Sequence, residues 1–255
     1  MSNTIKEGSP KRSIYVGYDY REPMSFAVTC ASARAHMKEN IPLHGLVMER
    51  LQKQQLYWRP TKVDHSTGQL WDEISEAPMS TQFAISRFLT PILAKEGWAM
   101  FLDCDMMFRV DPAEIFALAD PSKAIMCVKH VHVPGEHEQT KMGGAIQTTY
   151  NRKNWSSVML FNCDHPSNKK LTVDLVNSVP GRDLHRFCWL EDDEIGELPI
   201  TCNYLVEVSD KLDDEGIKIV HWTLGGPELL KDQDMQFRDE FYKVAHDWAE
   251  AGAVV

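Results

Sequence analysis

No stretch of this sequence holds the ~20 consecutive apolar residues that a membrane-spanning helix needs, and the opening MSNTIKEGSPKRS has no apolar signal core. These two absences predict a soluble, cytoplasmic protein whose first residues, 1–12, form a short disordered tail. The six cysteines (Cys30, Cys104, Cys127, Cys163, Cys188 and Cys202) form no C-x-x-C pair. That removes the usual zinc and disulfide spacings and leaves reduced thiols that pack as small hydrophobes. No internal repeat and no low-complexity tract is visible. Nor is there an excess of positive charge: the net charge is −10, although residues 1–62 carry ten Lys/Arg against five Asp/Glu. An acidic bulk argues against nucleic acid as the partner. The basic first quarter still leaves room for an anionic ligand.

What is present is an ordinary globular composition, 43% hydrophobic and 25% charged over 255 residues, enough for a full core. SIYVGY (13–18) reads as a strand, and Pro23 opens a helix through MSFAVTCASARAHMK. HGLVMER (44–50) reads as a second strand and 52–79 as a long loop. Ser80 can cap a helix over TQFAISRFLTPILAKE, kinked in its last turn by Pro91 and stopped by Gly97. WAMFL (98–102) is a continuous apolar strand of the kind buried on both faces. Asp111, Pro112 and Glu114 occupy the N-cap, N1 and N3 positions of a helix start. AIMCVKH (124–130), VMLFN (158–162) and IKIVHW (217–222) complete the strands, and QFRDEFYKVAHDWAEA is a C-terminal amphipathic helix. The order predicts an α/β domain around a mainly parallel, mixed sheet, with a more irregular second half.

Charged side chains rarely interrupt a buried run without a partner, yet AMFLDCDMMF places Asp103 and Asp105 in one. In such sheets ligands bind beyond the carboxyl ends of strands, where WAMFL delivers both carboxylates. Residues i and i+2 of an extended chain point the same way, so the two would repel unless a cation lies between them. Oxygen ligands suit Mg²⁺ or Mn²⁺, which would in turn hold a diphosphate. His221, closing IKIVHW, is a candidate third ligand, and an imidazole favours Mn²⁺. The adjoining Gly225 and Gly226 let backbone amides approach an anion. The plainer alternative is that Asp103 caps a turn, Asp105 is solvated and His221 is structural.

These pieces in this order resemble the GT-A fold nucleotide-sugar glycosyltransferases, and most of all the retaining group of glycogenin and the lipopolysaccharide galactosyltransferases, glycosyltransferase family 8. The resemblance runs over IYVGYD, FAISRFLTPIL, FLDCDMMFRVDPAEIF, WSSVMLFN, LEDDEIGELP and KIVHWTLGGP, roughly residues 13–227. It implies one domain over 13–255: a nucleotide-sugar half (13–130), a sugar and acceptor half (131–227) and a C-terminal helix (228–255). It further implies Mn²⁺ (or Mg²⁺) on Asp103, Asp105 and His221, a UDP-sugar donor and a hydroxyl acceptor on a glycan, a lipid-linked sugar or a protein. Tyr18 and Asp19 would meet the base and ribose, Arg87 the phosphate or sugar, and Ser157 and Asn162 the sugar pocket, with Cys104 also on the donor side. Asp192, or its neighbours Glu191 and Asp193, would sit near the anomeric carbon.

Two departures stand out. Trp155-Ser156-Ser157 replaces the family's small residue and glycine ahead of its sugar-side strand. No lysine follows the histidine motif until Lys231, so either Lys141 or the glycine amides would meet the diphosphate. Arg152, Lys153 and Trp155, like Arg182, His185 and Arg186, suit either an acceptor or simple packing, while His130 and His132 read as structural. Two rival functions are a sugar nucleotidyltransferase, which would want a glycine- and lysine-rich loop where GYDYREPMSF stands, and a non-catalytic nucleotide- or glycan-binding protein.

Overall fold

The computed structural model describes residues 11–66, 68–130, 140–141, 145–146, 155–231 and 233–252. β1 (Arg12–Gly17) leads through a turn into α1 (Pro23–His36), which has Pro at its start, where the missing N–H has no intrahelical partner to lose. β2 (Leu43–Leu46) ends before the predicted limit because the chain turns into α2 (Met48–Lys53). The predicted loop over 52–79 instead contains β3 (Thr61–Val63), β4 (Leu70–Asp72) and β5 (Ala77–Met79), an antiparallel three-stranded sheet. Strands of three residues are too short to reveal a period of two.

The helix predicted over 80–96 is broken as well. A 3-10 turn, Ser86–Leu89, precedes α3 (Thr90–Ala94), and Pro91 lies in the first turn of α3. A proline there removes no hydrogen bond, so it starts a helix rather than kinking one. β6 (Trp98–Leu102) is buried along its length, as its unbroken apolar sequence predicts, and is followed by β7 (Met106–Phe108). α4 (Pro112–Phe116) is capped by Asp111, whose Oδ1 accepts the Ala113 amide at 2.9 Å. Glu114 closes no capping box; its carboxylate receives Lys218 at 2.6 Å. Then come β8 (Ile125–Cys127), the antiparallel pair β9 (Thr140–Lys141) and β10 (Ala145–Ile146), and β11 (Val158–Asn162). α5 (Val173–Ser178), α6 (Gly181–His185), β12 (Ile195–Glu197), β13 (Tyr204–Leu205), β14 (Ile219–His221) and α7 (Arg238–Glu250) complete the chain.

The main sheet has the order β12-β8-β11-β6-β1-β2. β1 is parallel to β2 and β6, and β12 to β8, whereas β11 is antiparallel to both its neighbours. Five strands therefore point one way and β11 the other. One edge collects the carboxyl ends of the five strands and the start of β11. A second sheet, β13-β14-β7, continues from that edge through the turn joining β6 to β7. The main core surrounds β1, β6 and β11, and a smaller cluster joins Val28 of α1 to Met107, Val220, Trp222 and Phe241 under α7. All six cysteines are free; five are buried and Cys188 is exposed. No helix among the described residues is long and apolar enough to cross a membrane.

Gly97 makes the tight entry into β6. Its φ is +73°, and a Cβ there would lie 2.1 Å from the Lys11 carbonyl oxygen. Gly97→Ala is expected to lower unfolding stability by roughly 2 kcal/mol or more, because both the left-handed backbone and the approach of β1 forbid the methyl group. A urea midpoint equal to that of the wild type would contradict this.

Candidate active site and metal centre

The two aspartates lie in the turn between β6 and β7, at the edge where the parallel strands end. β14 runs antiparallel to β7 with His221 opposite Met106, and the Trp222 amide donates to the Asp105 carbonyl at 3.0 Å. That register carries the imidazole to the acid pair. His221 Nε2 is 3.4 Å from Asp105 Oδ1, and one ligand atom from each of Asp103, Asp105 and His221 lies within 4.8 Å of the others.

Asp103, His221 and the turn that carries Asp105 are each held from behind. Arg87 Nη1 meets Asp103 Oδ1 at 2.7 Å and donates to the Ser156 carbonyl at 2.8 Å, while Arg87 Nε donates to the Ala84 carbonyl. The guanidinium lies about equally close to the rings of Phe83 (5.2 Å) and Phe101 (5.0 Å), so its direction is fixed by packing as well. The Asp103 amide donates to the Ser157 carbonyl at 3.0 Å. The turn itself is tied to α1. The Thr29 hydroxyl lies 2.6 Å from the Cys104 and Met106 carbonyl oxygens and accepts the Met106 amide at 3.2 Å. Asn203, which sequence reasoning passed over, contacts both His221 Nδ1 (2.9 Å) and Ser157 Oγ (2.8 Å).

Acidic groups crowd the floor of this site. Glu22, at the start of α1, is 1% exposed. Burial, then the charges of Asp105 and Asp19, push its carboxyl well above the usual range, and its Oε2 has no hydrogen-bond partner among the described residues. Cys104 is fully buried, with its thiol 3.9 Å from Glu22 Oε1. Burial and the neighbouring carboxylates push that thiol up, so it stays protonated and is no metal ligand. His130, three residues beyond β8, reaches the same edge. Burial and the proximity of His221 lower its pKa to about 4, and Nε2 has no partner among the described residues. Near neutral pH this imidazole is uncharged.

The remaining expectations divide by strand direction. Tyr18 and Ser157 lie at the site edge, Tyr18 half-buried with its ring edge-on to Phe26. Asp19 reaches that edge too but is fully buried. Arg21 Nε and the Arg21 amide bind Oδ1, while Arg21 Nη2 and the Gln82 amide bind Oδ2. A carboxylate accepts about four hydrogen bonds, so Asp19 has none left for a ribose. Cys104 points into the core, not toward a donor. Because β11 is antiparallel, Asn162 lies at the opposite edge, paired with Trp98 and donating to the Pro121 and Lys123 carbonyls. Because β12 is parallel to β8, Glu191, Asp192 and Asp193 precede it at that same far edge, where Lys123 Nζ binds the Asp193 carbonyl. Asn162 and the acidic segment thus lie at the edge opposite Asp103 and Asp105, and the structure does not bring them together with that pair.

Gly225 donates its amide to the Trp222 carbonyl at 2.9 Å, so it is not aimed at an anion. Two residues past Gly226, the Glu228 carboxylate accepts the Met24 and Ser25 amides at 3.1 and 2.7 Å, occupying the N-terminus of α1. Trp155 packs on the main core and donates to the His130 carbonyl at 3.0 Å. His185 is part of the packing too, with Nδ1 2.6 Å from Ser156 Oγ, and burial followed by the Arg87 charge lowers its pKa to about 3. The Lys141 side chain, His132, Arg152 and Lys153 lie outside the described residues.

Protein CDI from Arabidopsis thaliana is 42% identical over 245 residues, which span 93% of this chain and 88% of that protein. The chain belongs to the Protein CDI family. No protein-family model matches this member. Among solved structures, this Protein CDI relative resembles the galactosyltransferase LgtC in complex with donor and acceptor sugar analogs. The TM-score is 0.55 at 13% identity, over 93% of this chain and 99% of LgtC. The glycosyltransferase GlyE of Streptococcus pneumoniae TIGR4 aligns at TM-score 0.56 and 11% identity, over 96% of this chain and 66% of GlyE. The bifunctional glycosyltransferase WbbM aligns at TM-score 0.55 and 10% identity, over 96% of this chain and 53% of WbbM, so the chain spans about half of that protein. The chain thus has the GT-A glycosyltransferase fold, with the mixed α/β sheet expected from the sequence.

Proposed function

We propose that the chain is a metal-dependent glycosyltransferase that moves a sugar from a nucleoside-diphosphate donor, a UDP-sugar, to a hydroxyl acceptor with retention. The observation that carries this reading is the convergence of Asp103, Asp105 and His221 at the ends of the parallel strands. Two carboxylate oxygens and an imidazole nitrogen form a donor set suited to Mn²⁺ ahead of Mg²⁺. When bound, such an ion supplies Lewis acidity for a departing diphosphate. Arg87 offsets part of the acid pair's charge and keeps Asp103 aimed at the cleft. Tyr18 borders the nucleotide side. Ser157 and the neutral imidazole of His130 border the sugar side, where His130 Nε2 can exchange a hydrogen bond with a sugar hydroxyl.

A second reading, nucleotide-sugar binding without transfer, is favoured by the far-edge position of Glu191, Asp192 and Asp193. One experiment separates the two. The protein is incubated with a panel of nucleoside-diphosphate sugars, Mn²⁺ and glycan acceptors, and free nucleoside diphosphate is measured. Transfer predicts release from one donor class, lost on chelation and restored by Mn²⁺. Binding of UDP and Mn²⁺ with no release across the panel would establish the binding protein instead.

A further inference from the structure

We propose that Asn203 is a positioning residue of the metal centre, holding His221 in the tautomer whose Nε2 lone pair faces the acid pair. The proposal depends on the metal site above and adds to it a residue outside the three ligands. Asn203 is 0% exposed and sits just before β13, which pairs with β14 through Leu205 and His221. Its Oδ1 is 2.9 Å from His221 Nδ1, and its Nδ2 donates to Ser157 Oγ at 2.8 Å. Ser157 in turn accepts the Asp103 amide through its carbonyl. One continuous chain, Asp103–Ser157–Asn203–His221, therefore joins the β6 turn, the start of β11 and the end of β14.

The chemistry selects the proton's position. A carbonyl oxygen facing Nδ1 requires Nδ1–H, which leaves Nε2 as an acceptor or ligand. In the opposite tautomer Nε2–H would point at Asp105 and no lone pair would be offered to a cation. The 3.4 Å separation of Nε2 from Asp105 Oδ1 exceeds the normal N–H···O range, as an unprotonated Nε2 would give. Such outer partners fix ring orientation, and their loss typically weakens metal binding 10–100-fold.

The test uses Mn²⁺ alone, titrated and followed by its paramagnetic resonance, together with ¹⁵N NMR of His221 in the metal-free protein. Asn203→Leu keeps the volume and removes the acceptor; it is expected to weaken Mn²⁺ binding by ~10–100-fold and to move His221 away from Nδ1–H. Asn203→Asp keeps an acceptor and is expected to retain both the tautomer and wild-type affinity or better. In a His221→Gln background, Asn203→Leu should add less than about a threefold loss. The proposal is overturned if Asn203→Leu binds Mn²⁺ like the wild type, if its loss is as large without His221, or if the tautomer is unchanged. If Asn203→Leu does not fold, a weakly binding Asn203→Asp overturns it instead. Wild-type protein that binds no Mn²⁺ sinks the metal site itself, and the tautomer measurement, made without metal, still decides the role of Asn203.

Discussion

Asp105→Ala should lose on the order of 100-fold or more in Mn²⁺ affinity while its thermal midpoint stays at or slightly above that of the wild type. The loss follows from removing one of two anionic ligands: Arg87 already holds Asp103 Oδ1, and His221 offers a neutral nitrogen, so neither replaces the lost negative charge. The unchanged or improved stability follows from the same geometry. Asp105 shares its neighbourhood with Asp103 and with the buried Glu22, and deleting one of three acidic groups removes repulsion. The backbone bond from the Trp222 amide to the Asp105 carbonyl is independent of the side chain, so the β7–β14 pairing survives. Isothermal titration with Mn²⁺ beside a melting curve reads both quantities. Unchanged affinity would show that the cation, if one binds, is held elsewhere.

The largest stability effect is expected at Arg59, far from that chemistry. Arg59 and Asp72 form an ion pair whose side chains are 0% and 1% exposed. The guanidinium also donates to the Val176 and Val179 carbonyls at 2.8 Å each, which fastens the β3–β5 sheet to α5. Arg59→Met leaves Asp72 buried without its cation and should cost about 3–5 kcal/mol in urea unfolding; Arg59→Met/Asp72→Leu should recover part of this. The pH dependence should reverse sign. In the wild type, burial pushes the Asp72 carboxyl up, but the Arg59 and Ser75 hydrogen bonds outweigh it and hold the carboxyl below its ordinary value. Its contribution is then complete above the unfolded pKa, about 3.9, and fades as the pH falls through the lower folded value. In Arg59→Met, burial is opposed only by the Ser75 hydrogen bonds and raises that pKa, so stability should increase as the pH is lowered from 7 toward 5. A variant as stable as the wild type with the same pH slope would contradict the assignment.

Local signals survive folding because they depend on neighbours in the chain. Asp111 caps α4 and Pro23 opens α1, where the sequence places them, since a cap needs only the next three residues. The apolar run 98–102 is the buried β6, and the two acids closing it stand at the sheet edge for the same reason. His221 was legible as a candidate third ligand from its place at a strand end, but its meeting with that pair was not. What makes it physical is the antiparallel register of β14 on β7.

Strand polarity is not written in a local stretch of sequence. VMLFN reads equally well in either direction, because periodicity carries no sign. Pairing with β6 sets β11 antiparallel, which brings Ser157 to the site and sends Asn162 to the opposite edge. β12 adds parallel to β8, which removes the acidic segment from the cleft in the same way. Long-range partnerships were equally hidden: Arg87 on Asp103, Glu228 on α1 and Asn203 on His221 each join groups far apart in sequence. The long apolar strands, the starts of α1 and α4 and the acid pair at a strand end follow from a few adjacent residues, whereas the short strands β3–β5 do not. Which strand ends share an edge, and which side chains hold the candidate ligands, follow from hydrogen-bond pairing between distant strands and are absent from any local stretch.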